Sequence, residues 1–319
     1  MNSTSILITA IGSFSADCAI NTLKAKGYRI IGCDIYPAEW HPVSKDCDKV
    51  FRAPFATDER KYIDFILKTC TAENIGIIVP LTDLEIDAIN RNRAYFENTN
   101  ITIAMPSDST LRVARDKYRL FKLFQNDNVV NTAPTYKVMV DVIPDNIVPC
   151  IAKPFNGRSS EGLKKITTST DLETVLDNPV YIIQPLIDGP IITVDYVRSA
   201  LTGHDFSVPR QELLRTKNGA GISVKVFEDT ALSNTVSYIG KMLDINGCVN
   251  MEFILNNGVY HLIDINPRFS AGIAFSMVAG YDMVTSHINC HTGKDILPQI
   301  KITPQIVAKH YIEEVTKTL

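Results

Sequence analysis

The run from Val249 to Arg268 constrains the chain most, because it holds two strand-like alternations separated by a turn signal. In the first, Val249, Met251, Phe253 and Leu255 share one face and leave Asn250 and Glu252 on the other, since successive strand side chains point to opposite sides. In the second, Ile263 and Ile265 alternate with Asp264, Asn266 and Arg268. Asn256-Asn257-Gly258 between them is hairpin chemistry, with glycine available for positive φ. A three-residue loop that pairs Asn256 with Tyr260 sets Glu252 opposite Asp264 and Asn250 opposite Asn266 on one face. A two-residue Asn257-Gly258 turn slips the register and parts the two acids, so the three-residue loop is the expectation. Hard oxygen donors of this kind suit Mg2+, which takes one or two carboxylates and fills its shell with water and phosphate oxygens. Arg268 adds a positive fork for charge that develops during phosphate transfer. The plainer description is a polar hairpin face with a surface ion pair, and the rest of the chain decides between the two.

At 319 residues with 45% apolar and 21% charged content, the chain can bury a substantial core and divides into two or three lobes. A net charge of −3 gives no global electrostatic case for nucleic acid or an anionic membrane, so any anion site is local. No apolar run reaches a membrane span and residues 1–5 carry no basic segment, which makes a cytoplasmic location the expectation. Seven scattered cysteines read as buried free thiols in a reducing compartment. His287, Cys290 and His291 fall on one expected helix, but zinc needs further ligands that do not lie nearby, so they read as structural.

The first hundred residues alternate strand and helix in a parallel α/β pattern: strands at Ser5–Ile11, Tyr28–Asp34, Ile75–Pro80 and Ile101–Met105, helices at Ser15–Lys26, Tyr62–Cys70 and Asp83–Phe96. Gly12 in the first turn and Asp34 ending the second strand invite a dinucleotide reading. The turn lacks the second and third glycines that bring backbone close to a pyrophosphate, which argues against NAD. Asp83, just past a strand's carboxyl end, is a candidate substrate contact as well as an ordinary helix-start acid.

Asp264-Ile-Asn266-Pro-Arg268 resembles the acidic-Ile-Asn-Pro-Arg signature of ATP-grasp enzymes, and the Glu252-to-Asp264 interval matches that family's pair of metal-binding acids. The second acid there is usually Glu, and here Asp is one methylene shorter. The resemblance covers almost the whole chain and is nearest to one half-unit of the carbamoyl phosphate synthase large subunit. It implies an N-terminal Rossmann-like α/β lobe over residues 1–106, a first ATP-grasp subdomain over 107–186 and a second over 187–319. Asp116-Lys117, in a helix expected over Ser107–Asn126, resembles the family's Asp-Lys helix, which makes Lys117 a nucleotide phosphate contact. Lys153 on the strand Ile151–Pro154 can reach the same phosphates as a point charge, and the loop holding Gly157, Ser159, Ser160 and Gly162 can fold its N–H groups over them. Gln184, Pro185, Leu186 and Ile187 stand where the family pairs backbone with adenine. Proline has no N–H, so Ile187 is the better donor.

Arg210, Arg215 and Lys217 form a basic strand leading to Asn218–Gly221, suited to a substrate carboxylate or its phosphorylated form, with solvated edge-strand charges as the bland alternative. Phe269–Gly272 opens an apolar helix, Ile273–Ala279, beside the expected carboxylate. The expectation is an ATP-dependent ligase using Mg2+ (or Mn2+), held by Glu252, Asp264 and Asn266, that activates a carboxylate as its acylphosphate and passes it to an amine. Its partners are small-molecule carboxylate and amine substrates, and the resemblance implies a homodimer. Two alternatives stand beside it: carbamoyl phosphate synthase-like phosphorylation of bicarbonate or carbamate with a partner's help, and a non-catalytic ATP-binding protein.

Overall fold

The computed structural model describes residues 4–97, 99–158 and 160–319. Its N-terminal sheet has five parallel strands, ordered Lys49–Arg52, Arg29–Asp34, Ser5–Ile8, Ile75–Val79, Thr102–Ile103. The strand Lys49–Arg52, half-exposed and without a clear alternation, has no counterpart in the expected pattern. Ser5–Ile8 and Ile75–Val79 lie side by side while their onward connections go to opposite sides, so a crevice opens at their carboxyl ends, where open α/β sheets place ligands. Thr82 and Glu85 cap the following helix Asp83–Arg91 reciprocally, which fixes Asp83 in its first turn at that crevice.

A four-stranded sheet, Tyr136–Lys137, Tyr181–Pro185, Cys150–Pro154 and Lys164–Ile166, packs Val138, Cys150, Ala152 and Ile183 into a small core. A seven-stranded sheet follows, ordered Gln305–Ala308, Gly221–Val226, Asp205–Arg215, Ile191–Arg198, Gly247–Asn256, Val259–Asn266, Asn131–Thr132. The edge strand Asn131–Thr132 comes from between the helices and the smaller sheet, so the chain visits the large sheet before building the small one. The expected helix 107–126 is two helices, Asp108–Ala114 and Lys117–Phe124. Asp116 breaks it by accepting hydrogen bonds from the N–H groups of Tyr118 and Arg119, an aspartate outcompeting helix continuation as an N-cap.

The lobes share a core. Ile6, Ile8 and Ile20 of the first pack in one cluster with Val197, Val208, Phe275 and Ile288 of the last. His287 stitches the same seam: its Nδ1 accepts from the Cys248 N–H and its Nε2 donates to the Ala104 carbonyl. Burial holds this imidazole neutral, down to about 4. Among the described residues no group of three or more His, Cys, Asp or Glu is placed to hold a metal. All seven cysteines are free thiols, and no helix among the described residues is long and apolar enough to cross a membrane.

Candidate functional site

The hairpin turns at two residues, not three: Asn257 and Gly258 both have positive φ and join Asn256 to Val259. Such a turn matches strand twist, which is why Asn-Gly is favoured there. Glu252 nevertheless faces Asp264, and Asn250 faces Asn266, because a bulge between Glu252 and Phe253 leaves Ile263 unpaired and shifts the register by one residue. The bulge also corrects the expected facing: Leu262 rather than Ile263 joins the core beneath, and Ile263 lines the cleft beside Asp264.

That cleft, of about 800 Å3, lies between the two C-terminal sheets and the crevice of the first lobe. Lys117 begins its helix there, with Nζ donating to the Gly157 carbonyl at 2.9 Å and lying 3.1 Å from Asp264 Oδ1. Lys153 enters from its strand, and burial lowers its ammonium to about 8 although Asp264 pulls the other way. Glu252 has Arg215 Nη2 3.4 Å away; burial raises its carboxyl, with Arg215 opposing. Asn266 Nδ2 donates to Asn250 Oδ1 at 3.3 Å. Arg268 donates to Asp83 at 2.9 Å, to the Phe269 carbonyl at 3.1 Å and to Asn266 Oδ1 at 3.3 Å. The sequence candidates Lys117, Lys153, Glu252, Asp264, Asn266 and Arg268 therefore converge on one end of the cleft.

Two carboxylates and an amide oxygen on one sheet face fit a hard divalent cation that keeps water or phosphate oxygens for its remaining positions. Each carboxylate here rests against a cation, Asp264 against Lys117 and Glu252 against Arg215. Beside them Ile151, Ile187, Ile254 and Ile263 form an apolar slot. The Ile187 N–H makes no hydrogen bond among the described residues, and is free to donate into the slot. Leu186 is not a slot residue, because its N–H bonds the Pro149 carbonyl and it does not line the cleft. Gln184 lines it, with Nε2 held by the Thr135 hydroxyl at 2.8 Å. Gly157 and Ser160 line it too, Gly162 does not, and Ser159 lies outside the described residues.

The remaining candidates divide. Lys217 is exposed and does not line the cleft. Arg215 does line it, anchored by the Gly219 carbonyl at 2.8 Å. Arg210, 1% exposed, is committed to Asp195 at 2.6 Å, Ser270 at 3.1 Å and Glu212 at 3.3 Å, so it fixes the Ser270 loop rather than standing free. Asp83 is likewise engaged, by Arg268 and, at 3.3 Å, by Arg115. Burial works to raise its carboxyl, but the two guanidinium groups hold it below the usual range. Sequence reasoning missed Arg115, Thr193 and Glu212, all close to this end. The hydroxyl of Thr193 and one Glu212 oxygen are buried in the cleft wall without a partner among the described residues. The Arg210-x-Glu212 alternation was the available signal for Glu212.

Residues 114–272 match the model of the ATP-grasp domain, and residues 6–104 that of the PylC-like N-terminal domain. The carbamoyl phosphate synthase large chain of Thermoanaerobacter pseudethanolicus is 22% identical over 66% of the chain, and that of Clostridium acetobutylicum 23% identical over 86%. The chain spans only 21% and 27% of those proteins. In structure it is similar to a biotin carboxylase from Campylobacter jejuni (TM-score 0.73, 20% identity, 93% of this chain and 72% of that one). It is also similar to N5-carboxyaminoimidazole synthetase from Staphylococcus aureus, solved with ADP (TM-score 0.74, 15% identity, 95% of this chain and 81% of that one).

Proposed function

This chain belongs to the ATP-grasp family, and from that premise we propose that it is a ligase that uses ATP to phosphorylate a carboxylate and joins the resulting acyl group to an amine. The observation that carries the reading is the bulge-set pairing of Glu252 with Asp264 in a cleft that also gathers Lys117, Lys153 and Arg268. The adenine would lie in the isoleucine slot with Ile187 as backbone donor, and the two lysines would meet the phosphates. Glu252, Asp264 and Asn266 would hold Mg2+, which supplies charge neutralisation between phosphate oxygens.

The carboxylate oxygen would attack the γ-phosphorus in line, expelling ADP. Arg268, oriented by Asp83 and Asn266, would bear on the charge of the transferring group. The amine nitrogen would then attack the acyl carbon, releasing phosphate and a proton. No covalent enzyme nucleophile is required. The two solved structures named above, a biotin carboxylase and an N5-carboxyaminoimidazole synthetase, are in keeping with a carboxylate-activating reaction.

The test is ADP release with Mg2+ and ATP across small carboxylates and mixed amines. We expect a carboxylate-dependent signal that falls by roughly 100-fold or more in Arg268→Ala, the scale for losing one charge-stabilising donor, and is lost in Glu252→Gln. A silent panel with intact ATP binding would favour a non-catalytic nucleotide-binding protein.

A further inference from the structure

The cations that line the cleft, Lys117, Lys153, Arg158, Arg210, Arg215 and Arg268, all come from the ATP-grasp part, together with the acids Glu161, Glu212, Glu252 and Asp264. Between residues 10 and 85 the lining carries no Lys or Arg, and its acids are Asp34, Asp83 and Glu85. Asp83 is neutralised by Arg268 and Arg115. Glu85 is buried, bonded by the hydroxyls of Thr9 and Thr82, and its carboxyl is pushed up by that burial. Asp34 is left as the anion of this wall. It accepts from the N–H groups of Gly12 at 2.9 Å and Tyr36 at 3.0 Å, half of a carboxylate's capacity, with His41 Nε2 3.3 Å away.

Around Asp34 stand aromatic side chains that solvent reaches: Phe14, Tyr36 and Phe55 line the cleft, each about half exposed. Trp40, 65% exposed, stacks on Tyr36 at 5.4 Å. Exposed rings in one contiguous patch mark a binding surface rather than a core. Phe14 already has a cation over it, Lys309 at 4.9 Å. The Tyr62 hydroxyl, on a side chain 1% exposed, is buried in the same wall beside the Glu85 carboxyl. His41 sits over Gly12 so closely that a Cβ there would meet its ring at 2.5 Å, and the Gly12 N–H beneath it serves Asp34.

We infer that this wall is a subsite for a cationic substrate with an apolar body, its ammonium on Asp34 and its hydrocarbon against Phe14, Tyr36 and Phe55. Ring faces and a carboxylate together favour a cation over a neutral isostere. The inference rests on the ligase reading only in calling that ligand the acceptor. The ammonium on Asp34 has no lone pair, so the attack on the acylphosphate comes from a separate nucleophilic group of the same molecule.

Trp40 is the chain's one tryptophan and reports on the patch directly. Its fluorescence is followed while the full chain is titrated with cyclohexylmethylamine or with its neutral isostere cyclohexylmethanol. The expected result is a saturable change with the amine, half-complete at a concentration about 10-fold or more below that of the alcohol. Asp34→Asn should abolish the difference, and Phe55→Leu, a change at an exposed ring, should weaken binding of both several-fold while sparing the fold. Equal titrations by amine and alcohol, no saturation with either, or an Asp34→Asn protein that still prefers the amine overturns the inference. Because the readout is binding, a positive titration beside a silent ADP panel would sink the ligase reading alone.

Discussion

Lys153 shows how much of the chemistry is set by where a single side chain is held. Its strand carries the ammonium into the cleft wall, and the lost solvation lowers it to about 8. The charge is present below that value and disappears as pH rises through it. Since kcat/KM reports ionisations of the free enzyme, kcat/KM for MgATP should be level near neutrality and decline above about pH 8. In Lys153→Arg the guanidinium stays charged and the decline should vanish, even if the absolute rate falls. A wild-type profile flat from about pH 7 to 9.5 would show that this lysine does not meet the nucleotide. The residues that converge here were legible because each stands in a short local pattern: Asp264-x-Asn266-x-Arg268, Lys153-Pro154, Asp116-Lys117. Arg210 and Asp83 were legible as charges but not as bound ones, because their partners Asp195, Ser270 and Arg268 come from distant segments.

At the scale of elements, the helix break at Asp116 and the bulge at Ile263 do the positioning. The aspartate ends one helix and starts the next, which sets Lys117 at a helix N-terminus facing Asp264. Removing the cap in Asp116→Ala should cost about 1 kcal/mol of stability, read from denaturant unfolding, and should raise KM for ATP several-fold. Unchanged KM with the stability loss would mean that Lys117 is positioned by its other contacts. The continuous helix 107–126 looked reasonable because Ser107–Asn126 carries no proline or glycine, and propensity alone does not register an N-cap inside a run. The hairpin is similar. Asn257-Gly258 correctly signals a two-residue turn, and the facing of Glu252 and Asp264 correctly signals the other register. Only a bulge satisfies both, and a bulge leaves little trace in residue types.

Across the whole molecule, the parallel first lobe and the antiparallel hairpin were readable from periodicity, while the shared core between first and last lobes was not. Ile6, Ile8 and Ile20 look like an ordinary strand and helix interior, and nothing local says that Phe275 and Ile288 complete their packing. That shared core matters to function because it fixes the acidic, aromatic wall of the first lobe opposite the basic end of the cleft, with Asp83 and Arg268 bonded across the divide. If the two substrates meet there through an acylphosphate, an oxygen of the carboxylate becomes an oxygen of phosphate. The direct test is turnover of a carboxylate substrate labelled with oxygen-18, with the released phosphate analysed by mass. One labelled oxygen should be transferred per phosphate formed. ADP formation with unlabelled phosphate would mean that water, not the carboxylate, attacks the γ-phosphorus, and would contradict the acylphosphate route.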